Sequence, residues 1–397
     1  AQATAIPILP KGDETMSFCV FSRRVTHCAT ILAIVLAVGS VPQSALAQVA
    51  PKTLSKDRSS EADAAEPNTE VDVPADLPAE PVLQYVAPKT IEMLIGVRIT
   101  APDGNMYGTL ATTVFPTPWP EQTVEIVETN LPPTTQAQFR ELPGGNRQWM
   151  FFAPTIPAGA VVEATVRVRI SKSHIVGPED TLRFKIPKRL SRDLQQFMSN
   201  SPYIEANAGE VRKIVRAVDA SEPLTDWKKV EQLYDWVRDN ITYQRGDLKT
   251  VREALRDKTG DCEEMTSTFV ALCRAARVPA RCVWVPNHCY PEFYLEDEQG
   301  EGHWFPCQVA GTRNFGSMPD YLPILQKGDR FKVPEKPEVQ RYIADFLSSK
   351  KVLGKNDPQV EFIRQMLGDA VNLRAPDLAE QADQADPTVN DPGSSPK

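Results

Sequence analysis

Gly260-Asp261-Cys262-Glu263-Glu264, Asn287-His288-Cys289-Tyr290-Pro291-Glu292 and His303-Trp304-Phe305-Pro306-Cys307-Gln308 are the blocks that decide the fold of this chain. Asp261 stands where a helix N-cap belongs and Glu264 follows three residues later, a capping-box pair that starts a helix at Cys262. Phe269, Val270, Leu272, Ala276 and Val278 then seat that helix in a core. A thiol in the first turn feels the positive end of the helix dipole, which favours thiolate, and exposed N–H groups that can stabilise an oxyanion. Glu263 and Glu264 oppose the first effect by like-charge repulsion. Residues 281–285, 292–295 and 303–307 read as strands, the last two joined by a turn over residues 297–302. His288 heads the second strand, and the hairpin can set Gln308 beside it, where a group that orients an imidazole belongs. Cysteine, histidine and carboxamide in this pattern are the parts of thiol nucleophilic catalysis.

Working towards the N-terminus, residues 208–218 and 226–241 carry apolar side chains at helical spacing, the second capped by Thr225 or Asp226. Residues 251–255 read as a short helix that delivers the chain to Gly260. From about residue 91 to 186 the pattern is two-residue alternation broken by Asp103-Gly104-Asn105, a Pro-rich stretch at 116–120 and Pro143-Gly144-Gly145-Asn146. Strand after strand without helices implies a β-sandwich, with residues 161–170 its clearest member. Residues 48–88 are rich in Ala, Pro, Glu, Asp and Ser and are expected to be a disordered linker.

The domain division is therefore a leader at 1–47, the linker at 48–88, a β-sandwich at 89–188 and the α+β thiol domain at 189–325. Beyond it, residues 337–347 and 360–367 suggest two amphipathic helices within a segment 326–372, and an acidic, Pro-rich tail at 373–397 is expected to be disordered. In the leader, Arg23-Arg24 precede an apolar run at 29–38 and the small residues Ala45-Leu46-Ala47, a signal-peptide pattern with Met16 as the expected start. Export to the cell envelope or beyond is the expectation, with no integral span left once the leader is cleaved.

The chain has 397 residues and a formal net charge of −8, with 41% hydrophobic and 24% charged residues. That balance permits a real core and argues against a polyanionic partner; no basic stripe of the kind nucleic-acid binding needs is present. Five of the seven cysteines lie outside the leader: Cys262, Cys273, Cys282, Cys289 and Cys307. An odd count in an oxidising compartment leaves at least one thiol unpaired within the chain. The simplest arrangement frees Cys262, while the other four could form up to two bridges, with the pairing open.

The region from about residue 208 to 318 resembles the transglutaminase-like superfamily, a papain-like cysteine fold. Five blocks fall in order: Asn240-Ile241-Thr242-Tyr243, Gly260-Asp261-Cys262, residues 275–281, His288-x-Tyr290-x-Glu292 and Trp304-x-Pro306. The resemblance implies Cys262 as nucleophile, His288 as base and then acid, and Gln308 as orienter, with Tyr243, Asp261 and Trp304 around the oxyanion or pocket. The family usually has His-Ala-Trp, so Cys289 and Tyr290 depart from it. It also places an acid where Gln308 stands. A neutral amide can still accept the imidazole N–H, but it cannot stabilise imidazolium by opposite charge.

The resemblance implies acyl transfer at the amide of a protein or peptide substrate, without a cofactor or metal. The alternatives are a catalytically silent binding or scaffold protein, and a zinc site drawn from Cys282, His288, Cys289, His303 and Cys307. His303 is a weaker candidate base, and Tyr243 a candidate core side chain.

Overall fold

The computed structural model of the chain describes residues 81–220 and 224–368. The leader, most of the linker and the acidic tail lie outside the described residues. Six strands come first: β1 (Gln84–Thr100), β2 (Met106–Phe115), β3 (Gln122–Asn130), β4 (Gln136–Leu142), β5 (Asn146–Ile156) and β6 (Val161–Val176). Along β1, Met93, Ile95, Val97 and Ile99 are fully buried while Arg98 between them is exposed, the two-residue period of a half-buried strand. β1 begins at Gln84, inside the range read as linker, because residues 84–86 pair with residues 174–176 of β6.

The inserted segment follows with α1 (Arg192–Gln195), α2 (Gly209–Asp219), α3 (Asp226–Asn240), β7 (Thr242–Tyr243), α4 (Val251–Asp257), β8 (Thr259–Gly260) and α5 (Cys262–Ala275). Next come β9 (Ala280–Val285), β10 (His288–Glu296), β11 (Gly302–Gln308), β12 (Asn314–Phe315) and β13 (Gln326–Lys327), and the chain closes with β14 (Phe346–Val352) and β15 (Gln359–Leu367). Thr225 caps α3 through a bond from the Lys228 N–H.

The two C-terminal helices expected at 337–347 and 360–367 do not form. β15 pairs with β1 over nine residues and β14 pairs with β2, so the chain returns to complete the sandwich. Short apolar runs fit either period. The open edges of β1 and β2 decide the matter, because they offer rows of backbone donors and acceptors that a helix would leave unpaired. The sandwich thus has two four-stranded sheets, in the orders β15-β1-β6-β3 and β14-β2-β5-β4. β4 escapes sequence reading because its composition is polar for a strand, with Phe139 exposed.

Everything from α1 to β13 is inserted between two strands of the sandwich. Its centre is the five-stranded sheet β12-β11-β10-β9-β13, with α5 packed against β9 and β10. Phe269, Leu272, Phe293 and Phe305 form one core with Trp227 and Leu233 of α3. A second core fills the sandwich, and a third, smaller one joins the two: Ile91 and Ile175 of the sandwich meet Val283, Val285, Tyr290 and Met318. Charged groups cross the same junction. Lys327 Nζ donates to Glu121 and to Glu292 at 2.6 Å each, and Arg281 reaches Glu292 at 2.7 Å, all with buried side chains. Among the described residues no helix is long and apolar enough to cross a membrane.

Candidate active site

The helix start is built as the sequence predicts. The Asp261 carboxylate accepts from the Glu263 N–H at 2.9 Å and from the N–H of Glu264, and Glu264 accepts from the Asp261 N–H at 2.7 Å. Glu264 also accepts from the Lys249 N–H at 3.1 Å. A Cβ on Gly260 would stand 2.4 Å from Glu264 Cβ, so only glycine fits beside this capping box. Cys262 is thereby fixed at the first helical position, half-buried. The two glutamates expected to repel a thiolate are both engaged: Glu264 in the cap, and Glu263 by Arg341 at 2.6 Å.

His288 reaches the sulfur from the sheet. Asn287 turns the chain from β9 into β10 with φ +56°, a left-handed conformation that asparagine tolerates, and His288 then opens β10 opposite Val285. Gln308 closes β11, and its Oε1 lies 2.9 Å from His288 Nε2. The Gln308 backbone carbonyl accepts from Tyr234 Oη at 2.7 Å and Arg238 Nη1 at 3.3 Å, so α3 clamps the strand end. On its far side the buried Gln308 amide donates from Nε2 to Asp320 Oδ2 at 3.5 Å.

These contacts set the state of the sulfur. Hydrogen bonding from the Cys289 thiol, together with the charge and hydrogen bond of His288 and the Cys289 backbone N–H, holds the Cys262 thiol well below the ordinary cysteine range despite its burial. Cys289 itself is pushed well above that range, by burial first and by the neighbouring sulfur second. Its Sγ also lies 3.5 Å from the Cys262 carbonyl oxygen. Burial raises Cys273, Cys282 and Cys307 as well. All five described cysteines are free thiols, so the two bridges allowed by their number do not form.

The remaining candidates lie elsewhere or do other work. Asp261 is a helix cap, its carboxylate spent on backbone N–H groups. Tyr243 is 44% exposed on β7, opposite Gly260, and is not a core side chain. Trp304 pairs with Tyr294 near the turn of the hairpin, six residues along β10 from His288, and Arg281 stacks on its face at 3.9 Å. At about 3.4 Å per residue that places it some ~20 Å from the imidazole. His303 is held by Asp297 at 2.8 Å. Among the described residues no group of three His, Cys, Asp or Glu side chains is placed to hold a metal ion. A cavity of about 840 Å³ between α2, α3 and α4 is lined by none of the thiol-cluster side chains.

Comparison with known proteins bears on the same segment. The model of the transglutaminase-like superfamily matches residues 212–309, from α2 to the residue after Gln308. Those residues are a transglutaminase-like domain. The helix that Cys262 opens, the strand of His288 and the strand of Gln308 all fall within the match. Among solved structures the chain is similar to a candidate cysteine protease from Cytophaga hutchinsonii, at 15% identity and TM-score 0.47, covering 72% of this chain and 93% of that one. It is also similar to a candidate protease from Parabacteroides distasonis, at 12% identity and TM-score 0.23, covering 56% and 47%. No curated protein matches.

Asp320, Cys289 and Arg341 are the site residues that sequence reading missed. Asp320 and Arg341 reach the site from outside the local motifs, whereas Cys289 lies inside the His288 block, where its departure from alanine was the one sign.

Proposed function

We propose that the transglutaminase-like domain is an exported thiol enzyme that cleaves amide bonds of protein or peptide substrates by hydrolysis. The observation that carries this reading is the line Cys262, His288, Gln308, with the imidazole Nε2 on Gln308 Oε1 at 2.9 Å beside a thiol whose pKa its neighbours hold well below the ordinary cysteine range. With Nε2–H donating to the carboxamide, Nδ1 is left to take the Cys262 proton. The thiolate then attacks the carbonyl carbon, and the oxyanion forms at the start of α5. Asp261 occupies the N–H groups of Glu263 and Glu264, so the Cys262 N–H is the first-turn donor left for that charge. His288 returns the proton to the leaving amine as the C–N bond breaks, leaving a thioester. Water, deprotonated by His288, resolves the thioester to a carboxylic acid and regenerates the thiol.

Resolution by an amine instead of water would make the same chemistry a crosslinking reaction. Export is supported by the basic, apolar and small-residue succession of residues 23–47. Incubation of the purified protein with glutamine-containing peptides, with and without a labelled primary amine, separates the outcomes. Expected are cleavage or deamidation without incorporation of the amine, both lost in Cys262→Ala. Substrate consumption identical in wild type and Cys262→Ala contradicts the proposal.

A further inference from the structure

We propose that Asp320 is the positioning residue that fixes the Gln308 carboxamide, and through it the tautomer and charge of His288. The inference rests on the reading of Cys262 and His288 as the reacting pair. A carboxamide has an accepting and a donating end, and only one orientation serves the imidazole. With Oε1 towards His288, the ring holds its proton on Nε2 and offers Nδ1 to the thiol. With the amide turned over, Nε2 would have to accept, and the ring proton would sit on the side that must take a proton from sulfur.

Gln308 is buried, with 1% of its surface exposed, so solvent does not choose between the two orientations. Asp320 does. Its carboxylate only accepts, it lies 3.5 Å from Gln308 Nε2, and with the amide turned over it would face a carbonyl oxygen. The same bond polarises the amide, which makes Oε1 a better acceptor for an imidazolium N–H. Gln308 cannot supply the opposite charge that an imidazolium wants, and Asp320 supplies it one side chain further away.

The backbone that leads to Asp320 is itself tied to the sandwich. Residue 318, two before it, exchanges backbone hydrogen bonds with Ile175 of β6 at 2.9 and 2.8 Å. Lys172 and His174 of β6 and Tyr290 of β10 are among the titratable groups whose fields it meets. The half of the fold that carries no reacting group therefore sets the position of the charge behind the imidazole.

The test is the pH profile of Cys262 alkylation by iodoacetamide, followed by mass spectrometry on the full chain, which reads thiolate without any substrate. Asp320→Asn is expected to move the midpoint up by about one pH unit, because the imidazolium that accompanies the thiolate loses the negative charge behind it. Gln308→Leu should move it in the same direction. The double variant should move it no further than Gln308→Leu alone, because the link is already cut. A midpoint unchanged in folded Asp320→Asn overturns the role, as does an equal further shift in the Gln308→Leu background. A wild-type profile with no thiolate below the ordinary cysteine range overturns instead the reading on which the role rests. Should Asp320→Asn fail to fold, the side-chain amide of Gln308 in ¹⁵N-labelled wild-type protein tests the same bond. One Nε2 proton slow to exchange is expected, and fast exchange of both would overturn it.

Discussion

The Cys289 thiol is the residue that separates this site from a bare cysteine–histidine pair. It heads the causes that lower the Cys262 pKa, although it is itself pushed strongly towards the protonated form. A protonated thiol beside a thiolate is a donor, and replacing it with a methyl group removes that donor without touching the imidazole. Cys289→Ala should therefore raise the Cys262 pKa. Alkylation of Cys262 would slow at mildly acidic pH and stay unchanged above the ordinary cysteine pKa, a difference that a pH series of labelling rates would show. Equal rates across the series would mean that His288 alone sets the anion. At this scale the sequence was legible where signals are local. Asp261 and Glu264 announced the helix start, and the hairpin length brought Gln308 to His288. Trp304 was misplaced because a shared strand was read as a shared site, while its pairing with Tyr294 puts it towards the turn.

At the scale of elements, α5 is held at both ends by groups that can be removed one at a time. Asp261→Ala takes away the cap and should cost about 1 kcal/mol of stability, read as a lower denaturation midpoint at unchanged slope. At the other end Arg274 is buried, pairs bidentately with Asp329 at 2.9 and 2.7 Å, and donates to the Ala280 carbonyl. Asp329→Ala leaves that guanidinium uncompensated and should cost about 3–5 kcal/mol. A cost below 1 kcal/mol would show that solvent reaches Arg274 readily. Elements with long, strongly periodic patterns, such as α3 and β6, could be read from the chain. β14 and β15 could not, because seven- and nine-residue runs of mixed polarity take the structure their partners offer, and those partners are about 250 residues earlier.

At the scale of the whole fold, a sandwich cut open by about 170 residues between Val176 of β6 and Phe346 of β14 is closed by its own C-terminal strands. Burial of Lys172 at the junction lowers its pKa to about 8 from 10.5, partly offset by the acidic charge of Glu121. A lysine with a folded pKa below its unfolded value opposes folding when charged. The opposition is full below about pH 8 and is gone once pH passes 10.5, so the lysine's contribution rises with pH across that window. Lys172→Met should thus be more stable than wild type at neutral pH, by about 3 kcal/mol, and the advantage should shrink as pH rises above 8. An advantage independent of pH would attribute it to packing. The insertion was invisible in the sequence for the same reason as the strands that close it: a domain boundary is marked by composition, and the return of the chain to an earlier sheet is not.

The most direct measurement is the rate at which each thiol is alkylated in the intact protein, resolved by mass spectrometry, in wild type and in His288→Ala. Cys262 is expected to react about 10²-fold faster than Cys273, Cys282, Cys289 and Cys307 at mildly acidic pH, with most of that advantage lost in His288→Ala. A Cys262 no faster than its buried neighbours, or one indifferent to the loss of His288, would contradict a thiolate held and used by this imidazole.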